Sequence, residues 1–125
     1  MNPDTPAPRG ALPWPLAAGL DTAAVLLFAA AGRRSHEESL TAAGVAGTAW
    51  PFLTGTLIGW LLARGWRRPT TVPTGLIIWA PTVPVGMALR ALTGQGTAAA
   101  FWVVATVSTA VLLVGWRVIA RVARR

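Results

Sequence analysis

Cysteine, lysine and tyrosine are absent from the 125 residues, and histidine occurs once, at His36. Without thiols the chain forms no disulfide and no thiolate metal site. A single imidazole cannot build a histidine-rich site either, so no metal is expected. Acids are nearly as scarce: Asp4, Asp21, Glu37 and Glu38 are the full set, and charged residues make up 12% of the sequence. That is about half of what a soluble domain uses to wet its surface. No Ser–His–acid set, no carboxylate pair arranged for acid–base work and no phosphate-cradling glycine loop appears. The chain is therefore not expected to be an enzyme or to need a cofactor.

What is present is apolar. Residues of the AVILMFWYC set make up 54%, and the mean hydropathy is +0.54. The apolar residues gather into four stretches, at about 14–32, 42–63, 72–92 and 97–119. Each is close to the ~20 residues a helix needs to cross ~30 Å of hydrocarbon, and helix is the form that satisfies its own backbone there. The pattern predicts an all-α membrane protein, a four-helix transmembrane bundle over 14–119. A flexible tail is expected at 1–13 and a basic tail at 120–125. A cleaved signal peptide ending at Ala29-Ala30-Ala31 is the rival reading of the first stretch. Asp21 inside its apolar region and Arg33-Arg34 directly after it argue against cleavage.

All the basic residues other than His36 are arginine, and the net charge is +7. They cluster between the apolar stretches, which is the pattern of membrane topology and not of a nucleic-acid footprint. With four crossings, eight arginines fall on the side of the two termini: Arg9, Arg64, Arg67, Arg68, Arg117, Arg121, Arg124 and Arg125. Arg33, Arg34 and Arg90 fall on the other. The positive-inside rule then places both termini in the cytoplasm, as a multi-pass protein of the cell membrane. Trp14, Trp60, Trp66 and Trp116 fall near the inner interface, and Trp50 and Trp102 near the outer one, as an aromatic belt requires. Trp79 lies mid-span and calls for a packing explanation.

Four groups of residues stand out. Asp21 lies about 10 Å into the first helix, where an acid needs a partner facing the bundle. Arg117, at a comparable level of the fourth helix, pairs with it as an interhelical clamp; a carboxylate that carries a proton or cation is the alternative. On the outer side Arg33, Arg34, His36, Arg90, Gln95 and Thr97 form a polar cluster with the makings of an anion site, Thr97 being the expected N-cap of the fourth helix. Neutralisation of those arginines by Glu37 and Glu38 is the plainer reading. Pro81 and Pro84 predict a kink or opened turn in the third helix. Pro51 is tolerated if the second helix begins near Thr48. Finally, Gly55-x-x-x-Gly59 offers a smooth face to a neighbouring helix, within the chain or in a second copy.

Several phrases taken together carry a resemblance: Gly32-Arg33-Arg34-Ser35-His36, Thr48-Ala49-Trp50-Pro51-Phe52, Gly59-Trp60, Gly86-Met87-Ala88-Leu89-Arg90, Gly94-Gln95-Gly96-Thr97-Ala98 and Gly115-Trp116-Arg117. Their order and spacing resemble the domain-of-unknown-function 3054 family. The resemblance implies a stand-alone integral membrane protein, mainly actinobacterial, and brings no activity with it. Asp21, the proline pair and the outer arginines make transport or permeation of a small solute or ion, as a homo-oligomer in membrane lipid, the working expectation. A non-catalytic accessory protein that binds a partner protein or anionic lipid is the alternative.

Overall fold

The computed structural model describes residues 12–35 and 37–124; the expected tail up to residue 11, with His36 and Arg125, lies outside it. Four helices follow one another: α1 (Trp14–Ser35), α2 (Ala42–Ala63), α3 (Val72–Leu92) and α4 (Ala99–Ala123). Each is long and apolar enough to cross a membrane, and no strand occurs among the described residues. α1 extends beyond residue 32 because Arg33 and Arg34 fit its last turn, where cations meet the negative end of the helix dipole. α4 begins at Ala99, not Thr97, and continues to Ala123. Most of the expected basic tail is thus helix.

The helices form a closed ring in which α1 and α3 each touch α2 and α4 but not each other. The closest seam joins α2 and α3, and glycine is the reason. A Cβ on Gly55 would stand 2.7 Å from the Thr82 carbonyl oxygen, and one on Gly59 2.5 Å from that of Ile78. The Gly55/Gly59 stripe is therefore taken up inside the chain, against the backbone of α3. Beside it the buried hydroxyls of Thr56 and Thr82 share a hydrogen bond of 3.0 Å. Thr82 also lies 2.9 Å from the Ile78 carbonyl of its own helix.

α3 stays helical from Val72 to Leu92 through both Pro81 and Pro84, so no opened turn interrupts it. Pro51 is also interior, because α2 starts at Ala42, well before Thr48.

Polarity is inverted relative to a water-soluble bundle. Asp21, Thr56, Thr82, Thr109 and Arg117 are buried, whereas Leu16, Leu27, Leu62, Val103, Val111 and Ile119 face outward. Lipid attracts such a surface, and polar groups gain by turning inward to one another. Mid-span Trp79 follows the same logic. Its indole N–H reaches the Thr106 carbonyl and the Thr109 hydroxyl of α4, each at 3.2 Å.

The first three helices end alike. The N–H groups of Glu38, Gly65 and Gln95 reach back five residues to the carbonyls of Arg33, Trp60 and Arg90. A left-handed residue precedes each: Glu37 (φ 58), Arg64 (φ 50) and Gly94 (φ 76). This closure satisfies carbonyls that a helix end leaves bare.

Candidate functional site

The end of the bundle where α1 begins and α4 ends is built around Asp21. The side chain is completely buried, which in hydrocarbon demands donors for every lone pair. Arg117 approaches with a two-pronged contact, Nη1 to Oδ1 and Nη2 to Oδ2, both 2.8 Å. Two indoles complete the set: Trp116 Nε1 donates to Oδ1 and Trp60 Nε1 to Oδ2, both at 2.9 Å. Arg117 is equally enclosed. Its Nε donates to the Pro69 carbonyl and its Nη1 also to the Leu113 carbonyl, both at 2.9 Å. The guanidinium carbon lies 4.3 Å from the centroid of the Trp116 ring. Space for the arginine stem comes from Gly75, where a Cβ would stand 2.5 Å from Arg117 Cδ. One cluster thus ties α1, α2, α4 and the α2–α3 turn together. No buried polar side-chain atom among the described residues is left unpaired.

Sequence reading brought Asp21 and Arg117 together and missed the rest. By position along the chain, Trp60 and Trp116 belong to the inner aromatic belt. Trp14, Trp50, Trp66 and Trp102 do lie exposed, but Trp60 and Trp116 turn inward onto the carboxylate. A usable signal was depth: both indoles belong to Gly-Trp pairs near helix ends, level with Asp21.

The opposite end is open. A cavity of about 710 Å³ lies between α1 and α4, within the size range of small-molecule sites. Phe28 and Phe101 line its floor, and the buried Phe52 backs them, edge to face with Phe28 at 5.2 Å, with Phe101 about 6 Å from both rings. Its rim is charged, carrying Arg33, Glu38, Arg90 and Gln95. Arg33 is held by Glu38 at 2.9 Å, by the Ser39 carbonyl at 2.8 Å and by the Thr48 hydroxyl at 3.1 Å. Arg90 donates from Nε to the Gly96 carbonyl and from Nη1 to Gln95 Oε1, both at 2.9 Å. Its guanidinium carbon sits 4.5 Å from the Phe101 ring centroid. Its Nη2 has no hydrogen-bond partner among the described residues.

Of the expected outer cluster, Arg33, Arg90 and Gln95 therefore meet at one cavity. Arg34 and Thr97 are exposed and do not line it, and His36 lies outside the described residues. Thr97 does not cap α4. The cap position is Ala98, which has no side-chain bond to offer, and the preceding Gly96 carbonyl is engaged by Arg90 instead. Glu38 lines the cavity as a neutralising partner of Arg33, in keeping with the plainer reading, whereas Phe28 and Phe101 line it without a signal in the sequence.

Neither a curated protein nor a solved structure matches the chain. One family's sequence profile does, over residues 18–120, and its description is "Protein of unknown function (DUF3054)". That span holds α1 almost entirely, all of α2 and α3 and most of α4, together with every residue of the ion-pair cluster and of the cavity rim. The chain belongs to the DUF3054 family.

Proposed function

We propose that the protein is a non-catalytic protein of the cell membrane that binds an amphipathic anion, an apolar body bearing a carboxylate or phosphate, in the cavity between α1 and α4. The observation that carries this reading is the pairing of a phenylalanine floor with the guanidinium of Arg90 at one rim. Guanidinium groups bind carboxylate and phosphate through charge-assisted hydrogen bonds, and the rings accept the apolar part. Glu38 is in direct contact with Arg33, and among the described rim residues Arg90 is the cation with no direct carboxylate contact. Both termini are cytoplasmic in this reading, and the cavity faces outward. Arg117 drops out of the charge comparison because it is sealed with Asp21. Arg64, Arg67, Arg68, Arg121 and Arg124 still outnumber Arg33, Arg34 and Arg90 at the far end.

Accessory binding is favoured over transport by the state of Asp21. A coupling carboxylate must exchange its ligand, whereas this one is fully buried beneath four donors and does not line the cavity.

The test is ligand-induced stabilisation of the protein in neutral detergent. Laurate should raise the melting temperature, while dodecyltrimethylammonium, with the same chain length and opposite charge, should not. R90Q should abolish the laurate effect and R34Q should keep it. Equal stabilisation by the cationic amphiphile, or an unchanged response in R90Q, would remove the cavity from this role.

A further inference from the structure

A second pocket lies at the end where α1 begins and α4 ends, in the turn between α2 and α3. It has a volume of about 260 Å³ and is lined by Ala63, Arg64, Arg67, Arg68 and Thr74. All three arginines are exposed, and among the described residues they face no carboxylate. The ion pairs among the described residues are Arg33–Glu38 and Arg117–Asp21, and neither involves this turn. The described acids lie elsewhere: Asp21 is consumed by Arg117, and Glu37 and Glu38 belong to the α1–α2 turn at the other end.

The turn that presents these arginines is anchored throughout. Arg64 closes α2 in the left-handed conformation, and the Gly65 N–H returns to the Trp60 carbonyl at 3.0 Å. Gly65 packs under the Trp60 ring, so the indole that holds Asp21 also fixes the start of the turn. The Arg67 N–H bonds the Arg64 carbonyl at 2.9 Å. Pro69 is pinned by Arg117 Nε at 2.9 Å, and the Thr70 hydroxyl accepts the Leu12 N–H at 3.0 Å. Thr71 then caps α3 by accepting the Thr74 N–H, which brings the positive end of the α3 dipole to the same place. A rigid frame lowers the ordering cost of binding. Here it displays three cations around a concavity with no acid among the described residues against them.

We propose that this pocket binds a phosphate group, either the headgroup phosphate of an anionic phospholipid or free inorganic phosphate. The inference is independent of the cavity between α1 and α4. It concerns three specific side chains and not the general basicity of this end, which Arg121 and Arg124 share.

Native mass spectrometry of the full chain, released from neutral detergent in the presence of phosphatidylglycerol or phosphatidylcholine of matched chains, tests it. One phosphatidylglycerol should be retained in preference to phosphatidylcholine. R64G/R67Q should weaken that retention by about tenfold or more, since each arginine near an anionic surface contributes on the order of a factor of five. Glycine at position 64 suits the left-handed backbone, so the variant is expected to fold. R68Q, which alters only an exposed side chain, repeats the comparison if it does not. R121Q/R124Q removes as much charge from the same end and should leave retention intact. Millimolar phosphate that displaces the lipid, where chloride of equal ionic strength does not, identifies the free anion as a ligand. Persistence of the lipid identifies the headgroup. No preference for phosphatidylglycerol together with no effect of phosphate overturns the proposal, as does equal weakening by R121Q/R124Q.

Discussion

Asp21 keeps no lone pair for an incoming ligand, because its two oxygens already receive four N–H groups from α2 and α4. Removing one charge strands the other in a buried site. Chemical denaturation in detergent should therefore show D21N and R117Q each destabilised by about 3–5 kcal/mol. R117K should fare little better, because an ammonium cannot span both oxygens and the Pro69 carbonyl together. W60F and W116F, which each withdraw one donor to a charged acceptor, should cost about 1.5–3 kcal/mol. Because the partners share one network, D21N/R117Q should lose less than the sum of its single variants. Wild-type stability in D21N would show that the cluster does not hold the bundle. The acid–base pair was legible in the sequence because two charges at equal depth in lipid have few alternatives. The indoles were not: tryptophan near a membrane interface suits the headgroup level equally well, and only the tertiary fold shows which way the N–H points.

Helix ends and the α2–α3 seam make their own predictions. Glu37, Arg64 and Gly94 occupy the same left-handed position after three successive helices, and only glycine does so without a clash at Cβ. G94A should lower stability by about 1 kcal/mol, whereas E37G and R64G should be neutral or raise it by up to about that amount. Thermal melts of the three variants against the wild type decide the point, and a stabilised G94A would contradict it. Along the seam, G59A places a methyl against the Ile78 backbone and should cost about 1–3 kcal/mol. That loss should appear as reduced stability, not as a changed oligomeric state in sedimentation, because the stripe is used within one chain. Helix positions were legible almost throughout, since runs of apolar residues near membrane length leave little latitude. The start of α4 was not: Thr97 is a good capping residue by type, but Arg90 holds the turn through Gly96 and the helix begins after Ala98.

For the molecule as a whole, the absence of cysteine makes orientation directly measurable. In the proposed topology, a membrane-impermeant maleimide should label S39C in intact cells, and R124C only after lysis. The reverse pattern would invert the topology and turn the cavity between α1 and α4 toward the cytoplasm. The ring order of the helices was only partly legible, because hydropathy gives the number of crossings and not their neighbours. What closes the ring is the Asp21 cluster at one end and the three phenylalanines at the other, both assembled from residues far apart along the chain.

The span of the Asp21 cluster has a consequence for biogenesis. Asp21 and Arg117 are 96 positions apart, so the ribosome delivers the acid to the translocon long before its counter-ion is made. At the bilayer centre such a residue costs about 2.5–3.5 kcal/mol on the insertion scale, an upper bound for the shallower Asp21. Trp60 is made earlier than Arg117, so of the donors seen in the finished fold its N–H is the first available to the acid. A stalled product that ends before Ala99 should consequently be held poorly in the lipid and be degraded quickly in pulse-chase, while the completed polypeptide persists. Escape from degradation should then depend on synthesis of the last helix.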